Sequence, residues 1–420
     1  MQPAFTVKHK YMEFKEFGLA DGIMEAIEYM GFEKATEIQE LAIPLIMQEK
    51  DVMGCAQTGT GKTAAFILPV LHQMMQKPGD GIRTLIIVPT RELAKQIEQQ
   101  IQGFSYFVSI DSQSVYGGGS SEWEVQKKAL TGGVEIIVAT PGKFIAHLNM
   151  GYVNLDTVEH LILDEADRML DMGFVDDIMG IISHLPKKRQ TLLFSATMPD
   201  KIRRLAAAIM KDPQEITLAL SKPAEGVLQG AFLVHNHQKI PLIIHLIKDK
   251  PDYSSIIVFT SAKTVVSELV RSLKMVGFAA EGMSSDFEQE RREEVMQKFK
   301  ARKIRVLVAT DVISRGIDIK DINLIINFDV PKHAEDYVHR VGRTARAETT
   351  GVALTLVNEK DMPAFDSIER LIERKVLKMA LPSFLGEGPE WKGSSRPARS
   401  GGNNRSKWRR KPGKRDGNQK

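Results

Sequence analysis

Asp51-Val52-Met53-Gly54-Cys55-Ala56-Gln57-Thr58-Gly59-Thr60-Gly61-Lys62-Thr63-Ala64-Ala65-Phe66-Ile67-Leu68 is the stretch on which the fold turns. A short apolar run, a glycine-rich turn and a helix-forming run follow one another. That order aims backbone N–H groups at one spot, where the helix dipole also favours negative charge. A polyphosphate suits the spot: Lys62 would reach the β- and γ-phosphates and the Thr63 hydroxyl would ligate Mg²⁺. Ala56 departs from the usual pattern, which begins with glycine. Cys55, the single cysteine, excludes an internal disulfide and any multi-cysteine metal site, and beside the turn it reads as a small buried apolar residue.

Outward from this stretch, 420 residues exceed what one hydrophobic core serves, so two domains and a tail are expected. The chain is 43% hydrophobic and 26% charged, the make-up of a globular protein. The first ten residues hold no apolar leader and no later run is long enough to span a bilayer; a cytoplasmic protein with no membrane partner is the expectation. Charge is uneven. From Gly386 onward eleven Lys/Arg face Glu387, Glu390 and Asp416, so that a net +4 divides into +8 there and −4 elsewhere. A mildly acidic body with a basic tail points to an anionic polymer as partner.

In the first half, apolar runs at 84–88, 112–116, 134–139, 160–163 and 191–194 alternate with amphipathic helical patterns. This rhythm predicts a parallel α/β sheet buried on both faces, with ligands outside the carboxyl ends of the strands. Polar or glycine clusters follow each run: Pro89-Thr90-Arg91-Glu92, Gly117-Gly118-Gly119, Thr140-Pro141-Gly142-Lys143, Asp164-Glu165-Ala166-Asp167 and Ser195-Ala196-Thr197. One such cluster is an ordinary cap or turn; five predict a functional rim. The rhythm restarts at 256–259, 305–309, 323–327 and 353–357, without a second phosphate loop but with Thr310-Asp311 through Asp318 and His339-Arg340-Val341-Gly342-Arg343-Thr344-Ala345-Arg346. The expected organisation is a first domain over 1–211, a linker over 212–226, a second domain over 227–380 and a disordered basic tail over 381–420.

Taken together and in order, these clusters resemble the DEAD-box family of ATP-dependent RNA helicases, from about Phe14 to about Met379. The stretch from Gly31 through Gln39 looks like that family's adenine-sensing motif, with Phe14 as its upstream aromatic. The resemblance implies two RecA-like domains, ATP and Mg²⁺ as cofactors, and RNA bound across both halves. On the nucleotide side it implies Phe14, Gln39, Ala56, Gln57, Thr58, Gly59, Thr60, Gly61, Lys62, Thr63 and Asp318, the last on the ribose. The chemistry agrees: Asp164 would hold the metal with Thr63, Glu165 would orient the attacking water, and Arg343 and Arg346 would act as arginine fingers from the half that lacks a phosphate loop.

On the RNA side the resemblance implies Thr90, Arg91, Gly118, Thr140 and Gly142 from the first half, and Thr260, Arg292 and Thr310 from the second. Ser195, Thr197, His339 and Arg340 would couple the two sides. Contacts to backbone carry no base information, so sequence-independent binding is expected. Ala35, Glu37, Lys143, Ser284 and Ala345 depart from the family pattern. Lys143 matters most, because a point-like ammonium cannot copy the planar fork of arginine. Local unwinding of short RNA duplexes leads; an ATP-gated RNA clamp and a DNA-directed helicase remain open. A monomer is expected, with protein partners drawn from ribosome assembly or RNA decay.

Overall fold

The computed structural model describes residues 12–56, 59–118, 120–218, 227–284, 287, 289–310, 322–344 and 351–392. Gln57, Thr58, Asp318, Ala345, Arg346 and the segment 393–420 lie outside the described residues.

The first sheet contains β1 (Val52–Cys55), β2 (Thr84–Ile87), β3 (Ser112–Val115), β4 (Ile136–Ala139), β5 (His160–Leu163), β6 (Gln190–Ser195) and β7 (Gln214–Thr217). They run in the order β3-β4-β2-β5-β6-β1-β7, with every pairing parallel. The second contains β8 (Val227–Leu233), β9 (Ile256–Thr260), β10 (Ala280–Met283), β11 (Val306–Thr310), β12 (Leu324–Asn327), β13 (Gly351–Val357) and β14 (Leu377–Met379). Its order is β10-β11-β9-β12-β13-β8-β14, again all parallel. These are the parallel α/β sheets that the sequence rhythm predicts, and the RecA-like pair that the resemblance implies.

Continuous apolar strands arise because both faces are covered. Along β2, Leu85 and Ile87 enter one core cluster while Ile86 enters the other; along β4, Ile137 and Ala139 oppose Ile136 and Val138. The same alternation separates Ile257 and Phe259 from Ile256 and Val258 in β9. A period of two with an apolar residue at every step is what helices on both faces require.

The structure corrects the expected boundaries at two places. The stretch expected to be a linker, 212–226, contributes β7 beside β1, so the first body runs on past Thr217. Only Ile216 of β7 is buried, which is why no apolar run marks this edge strand. At the other end, 381–392 was expected in the tail but packs on the second domain: Gln238 Nε2 donates to the carbonyls of Leu385 (2.8 Å) and Glu387 (3.0 Å), and Trp391 meets Phe365 edge-on at 6.2 Å.

Candidate nucleotide and RNA site

The carboxyl ends of β5, β6 and β1 lie side by side, which brings the acidic run, Ser195 and the phosphate loop to one rim. Helix α3 (Lys62–Gln76) begins at this rim after Gly61, whose φ of +92° is the left-handed conformation that glycine tolerates. No side chain caps α3, and its first turn holds no acidic residue. Its leading N–H groups and its dipole are thus left for an anionic ligand. Lys62 is buried, and its ammonium donates to the Ala56 carbonyl at 2.6 Å, pinned across the loop. Gly59, Thr60 and Thr63 complete the described part of the turn.

Helix α2 (Glu37–Met47) is anchored to the same turn. Gln39 Oε1 accepts from the Thr36 N–H at 2.8 Å, and Gln39 Nε2 donates to the Gly61 carbonyl at 3.0 Å. A Cβ at Gly61 would sit 2.4 Å from that Nε2, so the glycine is needed for space as well as for φ. Phe14 is only 2% exposed, packed between Phe17 and Phe32; its ring belongs to the core and presents no open face to a base.

Asp164 and Glu165 are both buried at the end of β5. Burial pushes the Asp164 carboxyl up to about 6, against the pull of Lys62 and with the push of Glu165. Glu165 caps helix α7 (Ala166–Asp171) with φ +51°, and its Oε2, 3.8 Å from the Arg168 guanidinium, makes no hydrogen bond. A buried carboxylate oxygen without a hydrogen bond suits a site that receives a water or a ligand proton. The Thr63 hydroxyl and the Asp164 carboxylate are hard oxygen donors, the type Mg²⁺ takes.

Asp167 is the residue that sequence reasoning left without a role. Its N–H donates to Ser195 Oγ at 3.2 Å, and its Oδ2 accepts from both the N–H and the hydroxyl of Thr197. The signal was present in the quoted Asp164-to-Asp167 run, but only packing reveals what faces it.

Thr90 caps helix α4 (Arg91–Phe104), accepting from the Leu93 N–H. Arg91 donates to the Gly117 carbonyl at 3.1 Å, pairs with Glu122 at 2.7 Å and lies over the Tyr116 ring. A Cβ added at Gly118 would meet the end of the Glu122 side chain, which would have to swing away from Arg91. Thr140 precedes helix α6 (Pro141–Asn149) as its N-cap residue, and Gly142 is exposed with open space around it. These five positions therefore share one edge of the rim.

In the second half, Thr260 and Thr310 are register partners on β9 and β11. The Thr260 hydroxyl donates to Asp329 Oδ2 at 2.8 Å, whereas the buried Thr310 hydroxyl has no hydrogen-bond partner. Asp329 is held below the usual carboxylate range: burial opposes this, but the Lys239 ammonium, the Ser261 N–H and the Thr260 hydroxyl outweigh it. The rule that pointed to residues following each first-half strand would also have found Asp329, two residues after β12. Helix α13 (Ala334–Val341) ends at Gly342 and leaves Arg343 beyond its end. Arg340 is fully buried and donates to Asn327 Oδ1 and the Asp329 carbonyl; His339 is buried on the same helix. The halves meet where Arg292 on helix α12 (Gln289–Lys300) pairs with Glu92 at 2.9 Å, and Glu293 accepts from Lys95 at 3.0 Å and lies 3.2 Å from Arg91.

Residues 36–205 match the DEAD/DEAH box helicase family and residues 238–348 match the helicase conserved C-terminal domain. The chain belongs to the DEAD-box helicase family. Among curated relatives, the helicase is 43% identical over 373 residues to the DEAD-box ATP-dependent RNA helicase CshA of Geobacillus kaustophilus, covering 88% of this chain and 79% of that one. It is 43% identical to the ATP-dependent RNA helicase CshA of Listeria monocytogenes, covering 89% and 71%. Among solved structures it is similar to Mss116p bound to ssRNA and AMP-PNP (27% identity, TM-score 0.79, 90% and 81% covered). It is also similar to S. cerevisiae Dbp5 bound to RNA and ADP BeF3 (28%, 0.76, 87% and 95%). The helicase is thus an ATP-dependent, RNA-stimulated hydrolase that binds RNA. No helix among its described residues is long and apolar enough to cross a membrane.

Proposed function

We propose that this helicase couples ATP hydrolysis to local separation of short RNA duplexes, or to remodelling of RNA–protein complexes, and grips the RNA backbone without strong sequence preference. The observation that carries this reading is the crossing of charges between the halves: Arg91 and Arg292, from different domains, are drawn to one rim by Glu293 and Glu92. RNA bound there would touch both halves at once, so that closure of the two domains is felt as strain on a duplex.

In this reading the first domain runs on through Leu218 and the second spans 227–392. Lys62 and the leading N–H groups of α3 bind the phosphates, and Gln39, its amide engaged by Thr36 and Gly61, fixes the loop that presents them. Thr63 and Asp164 would hold Mg²⁺, which neutralises phosphate charge when bound. Glu165 orients the attacking water, and its oxygen without a hydrogen bond is the group available for that proton. Arg343, with Arg346, stabilises charge developing on the transferred phosphoryl group. Ser195, Thr197 and Asp167 tie this chemistry to the RNA rim, and Arg340 with His339 holds the second half's contribution in place.

Strand release from a short RNA duplex, measured with ATP, with a non-hydrolysable analogue and with a DNA duplex of equal length, tests the reading. ATP-dependent release confined to RNA is expected. Long-lived RNA complexes without release would favour the clamp, and equal release of DNA would overturn the assignment of RNA, because the 2′-OH is the discriminating group.

A further inference from the structure

Lys143 stands where the family pattern has arginine, and the structure shows what accompanies the exchange. Its ammonium lies over the Trp123 ring, 4.2 Å from the centroid. Trp123, on helix α5 (Ser120–Thr131), stacks in turn on His147 of α6, with centroids 3.9 Å apart and planes 17° from parallel. His147 is completely buried and held from both sides, by the Tyr152 hydroxyl at Nδ1 and by Gln126 Oε1 at Nε2, 3.2 Å away. Gln126 then donates to the Tyr116 carbonyl at 3.0 Å, and the Tyr116 ring backs Arg91 at 4.4 Å. Two cations at the RNA edge of the first domain are therefore each laid on an aromatic face, and one polar core joins the two faces.

We infer that Trp123 is a positioning residue for RNA grip, acting through Lys143; this rests on the RNA edge proposed above. A lysine carries a flexible four-carbon stem and a point charge, so it contacts a phosphate less reproducibly than a planar guanidinium does. Stacking on an indole face confines the ammonium before RNA arrives, which removes part of the ordering cost at binding. The stack needs a neutral imidazole beneath the indole, since a second cation would repel Lys143. Burial, with Lys143 adding to it, pushes His147 down to about 4 and keeps it neutral at physiological pH.

The test uses the full chain and a single-stranded oligouridylate, with affinity measured by fluorescence anisotropy across a salt series. Trp123→Leu and Lys143→Ala are each expected to weaken binding by roughly two- to tenfold. Each should make the log K against log salt slope shallower by about 0.7, one phosphate contact on a single strand. The double variant should match Lys143→Ala alone, and Trp123→Phe, which keeps a ring face, should recover part of the loss. RNA-stimulated turnover should show a higher half-saturating RNA concentration with kcat retained. Thermal melting separates misfolding from positioning, and Trp123→Phe keeps the idea falsifiable if Trp123→Leu melts early. Wild-type affinity and slope in Trp123→Leu, or additive losses in the double variant, overturn the inference while leaving the RNA reading intact. A wild-type protein that does not bind the oligonucleotide overturns both.

Discussion

Thr197 donates twice to a single carboxylate oxygen: its backbone N–H at 3.1 Å and its hydroxyl at 2.9 Å both end on Oδ2 of Asp167. The loop after β6 is thereby fastened to the acidic turn after β5, with Ser195 Oγ taking the Asp167 N–H from the same side. Thr197→Val keeps the shape and the backbone bond but removes the hydroxyl, a hydrogen bond to a charged group worth about 1.5 to 3 kcal/mol. ATP turnover should persist while the number of duplexes released per ATP falls. Equal losses in turnover and strand release, measured in one assay, would assign Thr197 to the chemistry instead.

Lys62→Ala and Glu165→Gln are both expected to abolish RNA-stimulated hydrolysis without unfolding the chain. They should differ in binding. Lys62 meets phosphate charge in ground and transition states alike, whereas Glu165→Gln leaves the phosphate loop whole and should retain ATP and hold RNA. Filter binding of labelled ATP and RNA distinguishes them, and wild-type turnover in either variant refutes the roles assigned.

Arg343 emerges beyond the end of α13, on the half without a phosphate loop. Arg343→Ala should lower turnover far more than ATP affinity, since arginine fingers contribute about 10³ to 10⁵ in rate in related phosphoryl transfers. Parallel losses in affinity and rate would mark it as a structural arginine.

Asp164 links the site to stability. Its carboxyl is raised from 3.8 to about 6 by burial, so the folded state favours the protonated form. That contribution is fully present below pH 3.8 and is lost as pH rises through about 6, a span that corresponds to about 3 kcal/mol at most. Asp164→Asn, which never ionises, should raise the melting temperature of the nucleotide-free protein at pH 7.5. The gain should shrink as pH is lowered toward 4, and hydrolysis should be lost throughout. A gain that does not depend on pH would mean that the charge is not its source.

Deleting 393–420 removes Arg396, Arg399, Arg405, Lys407, Arg409, Arg410, Lys411, Lys414, Arg415 and Lys420, together with Trp408. Because 381–392 pack on the second domain, the cut belongs after Lys392. If about four phosphates are neutralised, the log K against log salt slope on single strands should become shallower by roughly three. Turnover at saturating RNA should barely change, while half-stimulation needs more RNA. An unchanged slope would leave the segment with no part in RNA binding.

The sequence by itself determined the two parallel sheets, because strands buried on both faces must be apolar at every position and the polar clusters that follow them must fall at one rim. It also marked the phosphate loop, whose glycines and lysine are dictated by local geometry. Of the edge strands, β3 was marked by its run at 112–116, but β7 and β10 escaped that logic. β7 buries only Ile216, and β10 reads Ala280-Glu281-Gly282-Met283, so neither carries an apolar run. Side-chain partnerships were equally invisible: Asp167 with Thr197, Arg292 with Glu92 and Lys143 on Trp123 join residues 20 to 200 positions apart, and nothing local in the chain specifies such pairs. Phe14 shows the same limit from the other side, since its position in the motif predicts a ring open to a base and its packing against Phe17 and Phe32 buries that ring in the core. Local pattern fixes which element forms and where its end lies; which side chains meet at that end depends on how helices from distant parts of the chain pack, and only the tertiary structure decided it.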